Sequence, residues 1–195
     1  MSKYNFCLVI DMQNDFINGS LGSEAAQNIV HNVVEYIKGH RAHYIFTRDT
    51  HPETEKYLKS REGKYLPVPH CIRGTEGWEI NKDVMDAIEN SNSTYTIIDK
   101  NTFGTFKPIE IIKSLHDYVH TGEWRETLNE IDGHDLNITV MGLDSDICVI
   151  SNALIIKAAF TEADVNIVEN CCAGVTLESH KAAMTVAKSC QINII

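Results

Sequence analysis

Short apolar, β-branched runs alternate along this chain with stretches of helical period, and that alternation constrains the fold more than any other feature. The runs are Phe6 to Ile10, Tyr44 to Thr47, Tyr95 to Ile98, Ile138 to Met141, Val165 to Val168 and Ile192 to Ile195. Strands covered on both faces read as continuous apolar runs, and parallel neighbours need a crossover between them, usually a helix. The pattern predicts a three-layer α/β/α fold around a central, mostly parallel six-stranded sheet. Between the first two runs, Ala26, Val30, Val33, Val34 and Ile37 recur at helical spacing, with Ser23 placed to cap the start and Gly39 the end. Further helices are expected from about Asn81 to Glu89, Pro108 to Val119, Cys148 to Ala159 and Glu178 to Ser189.

One stretch breaks the alternation. Asp49 to Glu79 holds Pro52, Pro67 and Pro69 and no sustained period, and loops of that length in compact domains are often functional. The 195 residues match one ordinary domain, 1–195, able to bury a core without disulfides or structural metal. The apolar run at the start is too short for a signal peptide or a membrane span, so a cytoplasmic protein is expected. Six scattered cysteines form neither a disulfide framework nor a C-x-x-C pair, and reduced thiols are expected. A net charge of -10 repels nucleic acid and anionic membrane, which leaves a small molecule or a protein as partner.

Ligands of open α/β sheets sit at the carboxyl ends of the strands, where the strand order reverses. Asp11 follows the first run, Asp49 and His51 the second, Asp99-Lys100 the third, and the turn Gly142 to Cys148 the fourth. Singly, each has a plain structural reading: Asp11 as a turn cap, Lys100 as a solvated lysine, Cys148 as a small core residue. Together they place a nucleophile, an acid/base and a cation at one edge. A thiol in the first turn of a helix faces the positive end of the macrodipole, and a nearby ammonium pushes the same way, so thiolate is expected. A carboxylate within reach can take the thiol proton and return it to a leaving group. Asp49 and His51 offer a carboxylate and an imidazole from one strand end, a spacing that permits shared coordination but equally a capped turn with solvated histidines.

Five segments, "LVIDMQNDF", "TRDTHP", "PHCIRGTEGWEI", "DKNTFGTF" and "GLDSDICVISNAL", occur in an order and spacing that resemble the isochorismatase-like cysteine hydrolases, the superfamily containing nicotinamidases. The resemblance runs over almost the whole chain and implies the isochorismatase-like hydrolase fold, with Asp11, Lys100 and Cys148 as catalytic triad. It implies that Cys148 attacks a carboxamide carbon, Asp11 shuttles the proton and Lys100 supports both. A cis peptide would join Leu143 to Asp144 and aim the backbone amides of Asp144 and Cys148 at the oxyanion. Asp144 itself departs from the small or apolar residue usual there, and its carboxylate is expected to point away.

The same resemblance implies a divalent metal, zinc with iron or manganese as alternatives, held by Asp49, His51 and His70 with waters. Where some nicotinamidases carry a further histidine this chain has Tyr57, with Glu53 and Glu55 nearby. Phe16 matches the aromatic lining the ring pocket, but its usual partner three residues before the metal histidine is Pro67 here, so Leu66, Phe103, Tyr65 or Phe106 must supply the other wall. Cys71, Cys171 and Cys172 are expected to pack inward, His180 to pack or cap, and Trp78 and Trp124 to be core or interface. The implied reaction is nicotinamide to nicotinate plus ammonia, by a homo-oligomer. Rival readings are an amidase for another small amide or carbamoyl compound, isochorismatase itself, whose vinyl-ether chemistry needs no thiol, and a non-catalytic module whose Cys148 oxidises reversibly.

Overall fold

The computed structural model describes residues 4–122, 131 and 133–195. Six strands, β1 (Tyr4–Ile10), β2 (His43–Asp49), β3 (Thr94–Lys100), β4 (Leu136–Gly142), β5 (Asp164–Cys172) and β6 (Asn193–Ile194), form one sheet in the order β3-β2-β1-β4-β5-β6. Every pairing in it is parallel, where the sequence predicted mostly parallel. All six runs are strands: the first is extended at its start, the next four at both ends, and the last shortens to two residues.

The helices are α1 (Asn14–Ile17), α2 (Glu24–Gly39), α3 (Thr54–Lys59), α4 (Arg61–Tyr65), α5 (Lys82–Glu89), α6 (Lys107–Thr121), α7 (Ile150–Ala159) and α8 (Leu177–Ser189). Ser23 caps α2 through the Ala26 N–H as expected, but Gly39 lies inside the helix and His40 ends it. Asn81 caps α5 and Thr176 closes a capping box on α8. The connections from β1 to β3 run one way across the sheet and those from β3 to β6 run the other. Right-handed crossovers therefore set the two groups of helices on opposite faces. Accordingly α2 packs on α5, while α6 and α8 each pack on α7.

Phe6 to Ile10 and Ile138 to Met141 are buried throughout, because the central strands are covered on both sides. Trp78, Cys71, Cys171 and Cys172 are buried in the same core. Trp124 lies outside the described residues. The direction reverses between β1 and β4, so the crevice that binds ligands in this architecture opens beside Asp11 and the turn after Gly142. Among the described residues no helix is long and apolar enough to cross a membrane.

Asp49 to Glu79 is not a structureless loop. It folds into α3, α4 and a 3-10 turn (Glu76–Trp78), pieces too short for their period to show in the sequence. Bridges pair His51 with Ile72 and Gln13 with Ile80, tying the segment back to the sheet edge.

Candidate active site and metal cluster

Asp11 leaves β1 in a left-handed conformation (φ 48°), which aspartate tolerates better than most residues. Its N–H donates to Thr47, and the Thr47 hydroxyl donates back to Oδ1 at 2.6 Å. Its Oδ2 faces the Lys100 ammonium at 2.6 Å. The same ammonium lies 3.6 Å from Sγ of Cys148 and 3.8 Å from Oδ1 of Asp49. All four residues are buried. One cation from the end of β3 thus joins carboxylates from β1 and β2 to the thiol after β4.

Burial raises the Asp11 carboxyl, with Lys100 opposing and Asp49 adding to the rise. Burial disfavours the Lys100 ammonium, but Asp11, Cys148 and Asp49 hold it above its ordinary range. The Cys148 thiol is pushed well up by burial and then by Asp11, against Lys100. Burial thus works toward the neutral thiol, against the thiolate that a helix start favours. Cys148 lies in a π-helical turn (Ser145–Val149), and α7 begins only at Ile150. Desolvation and the adjacent carboxylate outweigh the dipole and the lysine.

The Leu143–Asp144 peptide is cis. Gly142 precedes it at φ 121°, and a side chain there would run into the Ile10 carbonyl oxygen, so only glycine lets β4 pass β1 this closely. The N–H groups of Ile147 and Val149 donate to the Asp144 carbonyl and that of Ser145 to Ala173. The Ser145 hydroxyl lies 2.9 Å from Nδ1 of His180, and Asp146 accepts the Val175 N–H, so the β5–α8 connection buttresses the turn. Asn152, fully buried, donates to the carbonyls of Cys148 and Phe103 and accepts from Thr105. The Asp144 side chain is largely buried, and its carboxyl feels both neighbouring acids and a site histidine. Burial, then Asp146 and Asp11, push it up to about 7, while His70 pulls it down.

Beside this group Asp49, His51 and His70 converge, and Glu62 of α4 joins them, each donor atom within 4.8 Å of the others. Nε2 of His51 lies 2.9 Å from Asp49 Oδ2, and Nε2 of His70 lies 3.6 Å from it. Glu62 Oε1 is 3.6 and 3.7 Å from the two Nε2 atoms. Nδ1 of His70 faces the Val68 carbonyl at 2.8 Å; a carbonyl only accepts, so Nδ1 carries the proton and Nε2 is free to ligate. Burial opposes ionisation of Asp49, but hydrogen bonds from His51 and His70 and the Lys100 charge hold it below the usual carboxylate range. Two imidazoles and two carboxylates with room for water suit a divalent transition metal.

Glu62 escaped the sequence reading, as did Gln13, which accepts the Asp49 N–H and donates to the carbonyls of Asp49 and Trp78. The position compared with a further metal histidine, Tyr57, is buried, sets its ring edge-on to His51 and His70 and donates to the Leu66 carbonyl. Phe16 is buried with its ring 5.5 Å from that of His70. Leu66 and Phe103 are exposed, as are Tyr65 and Phe106, so the structure does not close a second wall opposite Phe16.

The isochorismatase domain model matches residues 5–195. The chain belongs to the isochorismatase family. Among solved members of similar fold is a nicotinamidase from Bacillus subtilis, 24% identical, with a TM-score of 0.70 over 97% of this chain and 98% of that one. A pyrazinamidase of Pyrococcus horikoshii in complex with zinc is 26% identical, with a TM-score of 0.64 over 98% of each chain. N-carbamoylsarcosine amidase from Thermoplasma acidophilum is 19% identical, with a TM-score of 0.65 over 98% of this chain and 95% of that one. No curated protein matches the chain. Family membership makes this an isochorismatase-like hydrolase fold acting on a small molecule.

Proposed function

We propose that this family member is an amidohydrolase that cleaves a small carboxamide through a thioester at Cys148, converting nicotinamide to nicotinate and ammonia. The observation that carries the reading is the buried Lys100 ammonium in contact with both Asp11 and Cys148 at the sheet's switch point. A neutral thiol beside a carboxylate of raised pKa is suited to proton transfer during attack rather than before it. Cys148 Sγ bonds to the carboxamide carbon as its proton passes to Asp11. The carbonyl oxygen takes the negative charge opposite the amides of Asp144 and Cys148. Collapse expels ammonia, protonated by Asp11, and leaves the thioester. Water attacks it with Asp11 as base, and the acid departs as the thiol regains its proton.

Asp49, His51, Glu62 and His70 would hold a zinc ion, with iron and manganese compatible with the same donors, and such an ion supplies a Lewis acid that can orient a ring nitrogen or polarise water. The zinc complex of the Pyrococcus horikoshii relative supports zinc. Phe16, Leu66 and Phe103 are the substrate-contact residues of this reading. Six free cysteines support a reducing, cytoplasmic setting, and a homo-oligomer is part of the same reading.

The test is ammonia release from nicotinamide by wild-type protein and Cys148→Ala, both supplied with zinc. Release by wild type that falls to background in the variant is expected. No release from either would remove nicotinamide, and a panel of small amides and carbamoyl compounds would then identify the substrate. Release that survives Cys148→Ala would overturn the thioester.

A further inference from the structure

A second group of metal-ligating side chains lies at the opposite end of the sheet. His116 and His120 stand one turn apart on α6, their rings 4.1 Å apart and tilted by 34°. Both Nε2 atoms face one oxygen, Oδ2 of Asp135, at 3.1 and 3.7 Å. Asp135 comes from a different segment, immediately before β4. Tyr4, the first residue of β1, sets its ring edge-on to both imidazoles. Asp11 and Cys148 follow the far ends of these strands, on the order of 20 Å away at about 3.3 Å per residue.

The hydrogen-bond geometry leaves the imidazoles and the carboxylate facing one another across a gap that a cation would fill. Nδ1 of His120 lies 2.8 Å from the His116 carbonyl, which can only accept, so that nitrogen carries the ring proton. Nε2 of His120, which faces the carboxylate, is then the ring nitrogen placed to ligate. Nδ1 of His116 is buried without a hydrogen-bond partner among the described residues, so Nε2 is that ring's one polar engagement. A tetrahedral ion with bonds of about 2.0–2.1 Å sets its ligand atoms roughly 3.3 Å apart, and the separations of 3.1 and 3.7 Å bracket that value. His120 is about half exposed and His116 and Asp135 nearly buried, an arrangement open to solvent on one side.

We propose that His116, His120 and Asp135 bind a borderline divalent transition metal, zinc or its substitutes cobalt and nickel, at a site separate from the Asp49 cluster. Two imidazoles and a carboxylate are the donor set such ions prefer over calcium or magnesium. The ion completes its shell with water and clips the end of α6 to the start of β4. The site does not depend on the amidase reading.

The test is equilibrium dialysis of untagged protein against zinc, with bound metal counted per chain. Wild type is expected to hold one equivalent more than His120→Ala and one more than Asp135→Asn. His40→Ala, which removes a surface histidine at the end of α2, is expected to match wild type. Circular dichroism confirms that each variant is folded. Equal zinc in wild type, His120→Ala and Asp135→Asn would overturn the proposal and leave a proton, not a metal, between the rings and the carboxylate. An equal loss in His40→Ala would overturn it as scattered surface binding.

Discussion

An ammonium in the core at the end of β3 persists because two carboxylates face it, Asp11 at 2.6 Å and Asp49 at 3.8 Å. Lys100→Met would leave those like charges buried together. We expect kcat on the amide substrate to fall by at least about 10²-fold. Asp11, already raised, would rise further, so the acidic limb of the kcat/KM profile should move to higher pH, which a pH series on both proteins measures. Asp144 supplies the opposite limb. Burial, then Asp146 and Asp11, push its carboxyl up to about 7, so it gains charge as pH rises through that value, and in the proposed mechanism that charge would oppose the oxyanion. Activity should therefore decline as pH rises through about 7, and Asp144→Asn should abolish that decline. The stability effect has the same sign. A folded-state pKa above the unfolded value contributes stability that is full below the ordinary carboxylate range and is lost as pH rises through about 7. Chemical denaturation with a chelator present should find Asp144→Asn equal to wild type near pH 4 and more stable by on the order of 2 kcal/mol near pH 8.

At the scale of elements, what could be read in the sequence divides by length and by packing. The six strands were legible because central parallel strands are uniformly apolar and end in polar residues, so Asp11, Asp49, Lys100 and the Cys148 turn could be placed at one edge before any coordinates. Helices α3 and α4 were not, since six and five residues cannot display a period. Glu62 was missed with them, because only tertiary folding brings it within 3.6 and 3.7 Å of His51 and His70. Glu62→Gln should weaken zinc binding by about 10–100-fold while preserving the helix, measured by competition with a chelating dye. The burial that opposes the thiolate was hidden for a related reason: sequence places Cys148 at a helix start but does not state how dry that start is. Gln13 and Asn152 carried no signal because their partners are backbone groups 36 and 49 residues away, among others.

For the molecule as a whole, the Asp49 cluster joins β2, α4 and the segment before Ile72, so occupancy there should be felt as global stability. Zinc at about 100 times its dissociation constant adds about 2.7 kcal/mol. In a chain of this size that corresponds to a rise in Tm of roughly 5–10 °C. Calorimetry in a His120→Ala background should show this rise on zinc addition and its loss when His51 and His70 are also replaced by alanine. The segment that carries two of these ligands is bound to the scaffold at both feet, through His51 with Ile72 and Gln13 with Ile80. Its intervening bonds, Tyr57 to Leu66 and Gly63 to Ser60, are made within itself. Such an arch is a cassette: Asp11, Lys100 and Cys148 lie outside it, so residues between Pro52 and Pro69 other than Tyr57 and Glu62, which serve the metal cluster, are the positions where exchange or lengthening would give one scaffold a route to new substrates.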